Sequence, residues 1–384
     1  MNRKLRVGLI YGGKSGEHQV SLQTALAVIK AFDHSIYEIH PFYITPDGEW
    51  RSGGALPGPV ESVEQLAFAG LPKQAGAAEE EASGPGTVLG PLFEASGRGL
   101  PVSSSAADGA PALDVVFPLL HGTYGEDGTI QGLFEMADIP YVGAGVLASA
   151  VGMDKVMMKK IFAQEELPQC VFRHFTRPQW EKDQAFFLMD VEVAIGYPCF
   201  IKPANLGSSV GVSKASNRDE LIEAVRLAFK YDRKVIVEEF IDAREIEVAV
   251  LGNDEPQASV PGEIVSSSAF YDYKAKYLDG QSAMIIPADL PEETKEQVRE
   301  MAIRAFQAID ATGLSRVDFF LGRTDGKLYI NEINTMPGFT PFSMYPLLWK
   351  ETGKPYAELL SDLIKLAFQR HADKRTIQYK FDAE

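Results

Sequence analysis

Only two cysteines, Cys170 and Cys199, occur among 384 residues. Thiols so sparse build no disulfide framework and point to a reducing compartment. Neither belongs to a C-x-x-C pair, which argues against a thiolate zinc site. No run of about 18 apolar residues exists, so no membrane-crossing helix is expected. Nor is a signal peptide expected: Met1-Asn2-Arg3-Lys4 leads straight into an apolar run at 7–11, too short for an h-region. The expected location is cytoplasmic, with no membrane partner. Positive charge is also short, 37 Lys and Arg against 53 Asp and Glu, a formal net charge of −16. That excludes a general nucleic-acid binder, which needs a basic face. A nucleotide ligand is still compatible, because a few local lysines can hold a triphosphate against the global sign.

What is present suits a globular chain. With 45% hydrophobic residues it can bury a core, and its length allows two or three units at roughly 100–200 residues each. Residues 5–11 read as a buried strand, 12–16 as a glycine turn, 20–32 as an amphipathic helix and 40–44 as a second strand. That order begins a Rossmann-like parallel sheet. Further short strands are expected at 114–119 and 140–142. Between the strands at 40–44 and 114–119, 53–111 is rich in Gly, Ala, Ser and Pro and reads as an elaborated surface insertion. The pattern is helical over 148–164, 219–231 and 291–311, and strand-like over 198–203, 235–240 and 245–251. Residues 263–287 read as an aromatic, lysine-rich loop, and 316–334 as a hairpin.

One motif misleads. Gly8-Leu9-Ile10-Tyr11-Gly12-Gly13-Lys14-Ser15 fits the Walker A pattern letter by letter. A phosphate-cradling loop must begin where its strand ends, with backbone N–H groups turned to oxygen. Here the first glycine lies inside the apolar strand, and Leu9, Ile10 and Tyr11 are better used in the sheet core. The better reading is a turn that brings Glu17 and the next helix to a ligand at the carboxyl edge of the sheet.

The hairpin carries the strongest chemical signal. A three-residue loop, Thr324-Asp325-Gly326, would pair 323 with 327, 318 with 332 and 316 with 334. Arg316, Asp318, Glu332 and Asn334 then share one face of an otherwise apolar ribbon. Opposed carboxylates repel unless a cation lies between them. Oxygen ligands from Asp, Glu and Asn suit Mg²⁺ or Mn²⁺, with substrate phosphates completing the shell. The same spacing also fits a solvated strand face, with Arg316 neutralising Asp318.

Other residues point to a nucleotide. Lys202 ends an apolar strand and is followed by Gly207-Ser208-Ser209-Val210-Gly211, whose small residues and free N–H groups can close over phosphates. Lys155 is a second candidate, although a helical lysine is more often exposed. The strand at 235–239 ends in two carboxylates, and Glu245 follows. Backbone at a strand end can read a base edge, and a carboxylate can accept from ribose hydroxyls.

Together these segments resemble the D-alanine–D-alanine ligases of the ATP-grasp superfamily, over about residues 5–366 apart from the insertion. The most specific matches are HGTYGEDGTIQG at 121–132 and NEINTMPGFT at 331–340, with GKSGEHQVS at 13–21 and FYDYKAKY at 270–277 beside them. The resemblance implies an α/β fold: a Rossmann-like substrate-binding domain at 1–143, then a two-subdomain ATP-grasp fold. Its central subdomain would span 144–238, and its C-terminal subdomain, with the metal site, 239–384. Asp318, Glu332 and Asn334 would be ligands for two Mg²⁺ or Mn²⁺ ions. Lys155, Lys202 and Lys276 would contact ATP phosphates, Glu238, Glu239, Phe240 and Ile241 the adenine, and Glu245 the ribose. Glu17 would hold the ammonium of the first D-alanine, with His121 nearby. Arg316 and the Gly338 backbone would face the oxyanion, and Ser343 and Met344 the second substrate's carboxylate. Ser208 and Tyr277 would link to Glu17 and order a loop over the site. The family also suggests a homodimer.

The implied reaction joins two D-alanines for peptidoglycan precursor synthesis. ATP phosphorylates the first carboxylate, and the second amine attacks the acyl phosphate. Three other readings compete: a different ATP-grasp carboxylate–amine ligase, a nucleotide-binding regulator without turnover, and a P-loop NTPase.

Overall fold

A computed structural model of the chain describes residues 3–67, 113–207, 210–265 and 283–378. The first unit opens with β1 (Leu5–Gly12), α1 (His18–Ala31) and β2 (Tyr37–Ile44). Strand β1 is apolar on both faces because neighbours flank and cover it, with Leu9, Ile10 and Tyr11 fully buried. This is the sheet-core role that the Walker spacing disguises. A short β3 (Trp50–Ser52) returns antiparallel on β2, and α2 (Val63–Leu66) follows. The sheet runs β3-β2-β1-β4, where β4 (Val115–Leu119) pairs parallel with β1. Ser21 on α1 fastens the turn after β1: its Oγ accepts from Gly12 N–H at 2.8 Å and donates to the Leu119 carbonyl.

One expectation for this unit needs correction, and another gains detail. The start of the 53–111 stretch is tied to the sheet, while 68–112 lie outside the described residues. Leu56 N–H bonds Ile39 O at 2.9 Å, and Tyr11 Oη donates to Leu66 O at 3.0 Å. Leu66 is buried. The strand expected at 140–142 is a single parallel bridge, Val116 to Tyr141.

After α3 (Thr129–Met136), the helical stretch expected over 148–164 is two helices, α4 (Val146–Met153) and α5 (Lys155–Gln164). Asp154 breaks them. Its backbone is extended, and its side chain caps α5 by accepting from Val156 and Met157 N–H at 3.1 Å each. The break turns Lys155 into the first residue of a helix. Next come β5 (Phe172–Thr176), α6 (Arg177–Lys182), α7 (Gln184–Ala194), β6 (Cys199–Pro203), β7 (Ser213–Ala215), α8 (Arg218–Ala228) and β8 (Lys234–Glu239). They build an antiparallel sheet ordered β5-β8-β6-β7.

The third sheet collects β9 (Ala243–Gly252), β10 (Gln257–Ala258), β11 (Gly262–Val265), β12 (Ala283–Ile285), β13 (Gly313–Gly322) and β14 (Leu328–Asn334), in the order β12-β11-β9-β13-β14 with β10 on β9. Helix α9 (Glu292–Ala308) packs beneath it, and α10 (Met344–Glu351) and α11 (Tyr356–Lys374) close the chain. The loop expected over 263–287 is bounded by paired strands at its two ends; its interior lies outside the described residues. Arg370 on α11 joins two sheets: its guanidinium donates to Tyr141 O at 2.8 Å, to Thr312 Oγ1 at 2.7 Å and to the Gly143 carbonyl. Among the described residues no helix is long and apolar enough to cross a membrane.

The hairpin pairs Arg316 with Asn334 and Asp318 with Glu332, as the sequence register requires. The route there differs. Leu321 pairs with Leu328, and Gly322 N–H bonds Lys327 O at 2.9 Å, so the loop holds four residues and 323 does not pair with 327. A bulge then leaves Asn331 unopposed between Ile330 and Glu332 and restores the register.

Candidate active site

A cleft of about 480 Å³ lies where the three sheets meet, within the range of small-molecule sites. At its inner end stand Glu17, His121 and Glu126. Glu17 immediately precedes α1, and its carboxylate rests against glycines. A Cβ on Gly122 would come within 2.6 Å of Glu17 Oε2, and one on Gly207 within 3.2 Å. Gly122 also has φ of +73°, which favours glycine. His121 is buried and turned to protein on both sides. Its Nδ1 lies 3.1 Å from Met336 O, an acceptor only, so that nitrogen carries the hydrogen. Burial holds the imidazole below its ordinary range despite Glu17 nearby, so the ring is neutral and Nε2 accepts from Thr24 Oγ1 at 3.2 Å. Both ring nitrogens thus face protein groups, Met336 O and Thr24 Oγ1, while the residue lines the cleft beside Glu17.

Glu126 is a site residue that sequence reasoning did not single out. Its Oε2 accepts from Gly122 N–H at 2.6 Å, and the carboxylate also accepts from Met336 N–H. Burial first, and the charge of Glu17 second, push it up to about 8 against those bonds. His121 and Glu126 therefore hold Met336 by its carbonyl and its N–H, two residues before Gly338.

The middle of the cleft is the acidic hairpin. Glu247 on β9, Asp318 on β13 and Glu332 on β14 lie in one cross-strand row. Arg316 reaches Asp318 through two bonds of 2.7 Å and Glu247 Oε2 at 3.0 Å. Burial opposes the guanidinium charge, but Asp318 and Glu247 reverse this and hold it well above its usual range. Asn334 Nδ2 donates to Asp318 Oδ2 at 3.2 Å. Lys155 meets Glu332 Oε2 at 3.1 Å and donates to Leu206 O at 3.2 Å. Each opposed carboxylate is thus compensated by a cation, as repulsion across a ladder requires. Among the described residues no group of three or more His, Cys, Asp or Glu side chains is arranged to hold a metal. The donors on offer are two carboxylates and an amide, hard oxygens that leave most of a magnesium shell to a ligand's phosphates.

At the outer end Lys202 meets Glu238 Oε2 at 2.5 Å, and Lys159 meets the other oxygen at 3.3 Å. Burial alone would push Glu238 up; the two ammonium groups reverse that and hold it at about 2. Burial works against Lys202 as well, yet Glu238 and Glu332 outweigh it and hold the ammonium above its usual range. The segment expected to read adenine is thus partly turned inward. Glu238 faces the lysines, while Glu239 accepts from Val171 N–H at 2.9 Å and returns its own N–H to Val171 O at 3.0 Å. Phe240, Ile241 and Glu245 line the cleft, with Lys214 Nζ 4.2 Å from the Phe240 ring centroid.

Residues 6–144 match the family profile described as D-ala D-ala ligase N-terminus, and residues 161–365 that described as D-ala D-ala ligase C-terminus. The chain belongs to the D-alanine–D-alanine ligase family. The D-alanine–D-alanine ligase of Bacillus cytotoxicus is 54% identical over 376 residues, 98% of this chain and 99% of that protein. That of Geobacillus kaustophilus is 53% identical over 382 residues, 99% of each. Among solved structures, the D-alanine-D-alanine ligase from Coxiella burnetii superposes with a TM-score of 0.75 at 32% identity, covering 97% of this chain and 96% of that one. The VanG D-Ala:D-Ser ligase from Enterococcus faecalis reaches 0.76 at 34% identity, covering 95% and 100%. The architecture is the ATP-grasp fold, and the family is one of ATP-dependent ligases that form a peptide bond.

The ligase-family residues expected at the second-substrate end sit differently from the rest. Gly338 lines the cleft; Ser343 and Met344 lie beside it, outside the lining. Ser343 Oγ accepts from Thr340 N–H at 3.1 Å and bonds Thr340 Oγ1 at 2.8 Å. The Met344 side chain is packed in the core, and its backbone stands at the start of α10. Ser208, Lys276 and Tyr277 lie outside the described residues. Sequence reasoning also missed Lys159 and Glu247. A signal existed for Lys159, which shares the buried stripe of α5 with Val156 and Phe162 at i−3 and i+3.

Proposed function

We propose that the chain joins two D-alanine molecules at the expense of ATP, releasing ADP and phosphate. One observation carries this reading. A single cleft holds the Glu17 carboxylate at one end, an acidic ladder with compensating cations in the middle, and Lys202 at the other. These suit, in turn, an amino acid's ammonium, a metal-bound triphosphate edge and the phosphates themselves.

Asp318, Glu332 and Asn334 would hold Mg²⁺ or Mn²⁺, which when bound neutralises phosphate charge. Lys155 and Lys202 supply further positive charge along the triphosphate. Glu17 anchors the ammonium of the first D-alanine so that its carboxylate faces the γ-phosphoryl group. Transfer breaks the γ-phosphorus–oxygen bond to ADP and forms an acyl phosphate. The neutral amine of the second D-alanine then attacks the carbonyl carbon. The tetrahedral intermediate collapses with loss of phosphate, and the amine proton leaves with the products. Arg316 and Gly338 N–H face the oxygen that becomes negative at that step. The grip of His121 and Glu126 on Met336 fixes the approach of Gly338. The base edge of ATP is read by backbone at 239–241 and its ribose by Glu245. Ser208, Lys276 and Tyr277 are assigned to this reaction by the family resemblance alone; water must be kept from the acyl phosphate, which it would otherwise hydrolyse. Ser343 and the backbone of Met344 take the second carboxylate.

The units at 1–143, 144–238 and 239–384, a cytoplasmic location and a homodimer go with this reading. Similarity to a D-Ala:D-Ser ligase of the same fold leaves the second substrate to local contacts, and Tyr277 follows the D-alanine pattern. An ADP-release assay coupled to product analysis, run with D-alanine, L-alanine, D-serine and D-lactate, tests it. Dipeptide from D-alanine should dominate at neutral pH; faster ADP release with D-lactate as second substrate would defeat the assignment.

A further inference from the structure

We propose that Lys159, which faces away from the cleft, is a positioning residue that sets the charge Lys202 presents to the nucleotide's phosphates. Lys159 is only 1% exposed, and Lys202, nearer the cleft, is 15% exposed. Between them the Glu238 carboxylate is 3% exposed and gives one oxygen to each lysine, at 3.3 and 2.5 Å. The geometry therefore turns on a count. With Lys202 and Glu238 alone, the phosphate would meet a neutral pair whose negative half sits close behind the ammonium. With Lys159 on the far oxygen, the trio carries a net single positive charge and Glu238 no longer cancels Lys202; Glu332, which also faces Lys202, is answered by Lys155. The effect is strong because all three groups are withdrawn from water, where fields are weakly screened.

The surroundings of Lys159 offer no other source for this role. Its ammonium lies 3.6 Å from Cys170 Sγ and 6.0 Å from the Phe172 ring centroid, both weak partners. A lysine is rarely buried so deeply without a charge to answer. The anion it answers is also bonded to the cleft lysine, so removing Lys159 changes what reaches the ligand.

The proposal rests on the nucleotide reading of this end of the cleft. Binding of ADP, without metal, to the full chain by titration calorimetry tests it, with adenosine as the phosphate-free control. Lys159→Met should weaken ADP about tenfold while leaving adenosine within about twofold. Lys159→Met with Glu238→Gln removes one charge of each sign, keeps the count at one, and should return ADP to within about threefold of wild type. The proposal is overturned if Lys159→Met leaves ADP affinity unchanged, or weakens ADP and adenosine alike as a packing defect would. It is also overturned if the double variant binds ADP worse than the single one. Should Lys159→Met not fold, because it strands Glu238, the double variant decides: a tenfold loss of ADP affinity there sinks the idea. A wild-type chain that binds no ADP brings down the functional reading and this proposal together. Binding by wild type with variants that ignore the count brings down this proposal alone.

Discussion

At the inner end of the cleft two carboxylates, Glu17 and Glu126, crowd beside a neutral His121; at the outer end one carboxylate, Glu238, stands between two ammonium groups. Both ends are buried and ionisable, but their imbalances have opposite sign. The inner end raises the cost of negative charge, pushing Glu126 up to about 8. The outer end holds its carboxylate at about 2. The proposed ligand brings an ammonium to one end and phosphates to the other. The protein thus divides its buried charge by substrate group. The hairpin between the two ends carries the ladder of Glu247, Asp318 and Glu332 on which both must act.

The largest effect is expected where the two ends meet. Glu332→Gln should lower metal-dependent dipeptide formation on the order of 10²–10³-fold while circular dichroism and melting stay near wild type. Full activity at saturating magnesium would remove the hairpin from the mechanism. A smaller effect should separate the ends themselves. Glu17→Gln should raise the KM for D-alanine by about 10²-fold with ADP binding nearly unchanged, and Lys202→Met should raise the KM for ATP about tenfold with the opposite selectivity. If either substitution weakened both ligands equally, the division by charge would be wrong.

The smallest effect concerns pH. Burial and the charge of Glu17 push the Glu126 carboxyl up to about 8 in the folded chain, from an ordinary value of 4.5. Between those values the folded chain binds more protons than the unfolded one, so this group's contribution to stability falls as pH rises and levels off above 8. Comparing melting at pH 6 and pH 9, Glu126→Gln should lose less stability than wild type. An equal loss in both proteins would place the titration elsewhere.

The hairpin shows how sequence and structure each contributed. Arg316, Asp318, Glu332 and Asn334 alternate with apolar residues, so burial of one face forces them onto the other. Their register was therefore legible although the loop was misjudged by one residue, because the bulge at Asn331 absorbed the difference. The break at Asp154 was also available: aspartate ahead of a helical stretch is a start signal. It was hidden by apolar periodicity running across both helices. Lys159 was harder, since Lys159 and Lys160 are adjacent on an amphipathic helix and a lysine there is ordinarily solvated. Glu126 lay inside a recognised motif, but nothing local said that its carboxylate would be buried beside Glu17.

By itself the sequence determined the elements and their polar faces: the apolar parallel strand, the glycine turn before Glu17, the hairpin and its acidic row. Those follow from periodicity and backbone sterics, which act over a few residues. Only the tertiary structure decided the charge states. Glu126 and Glu17, or Lys159 and Glu238, are distant in sequence, and their protonation depends on burial and on neighbours brought from other elements. Desolvation and Coulomb interaction are set by where the chain ends up in space.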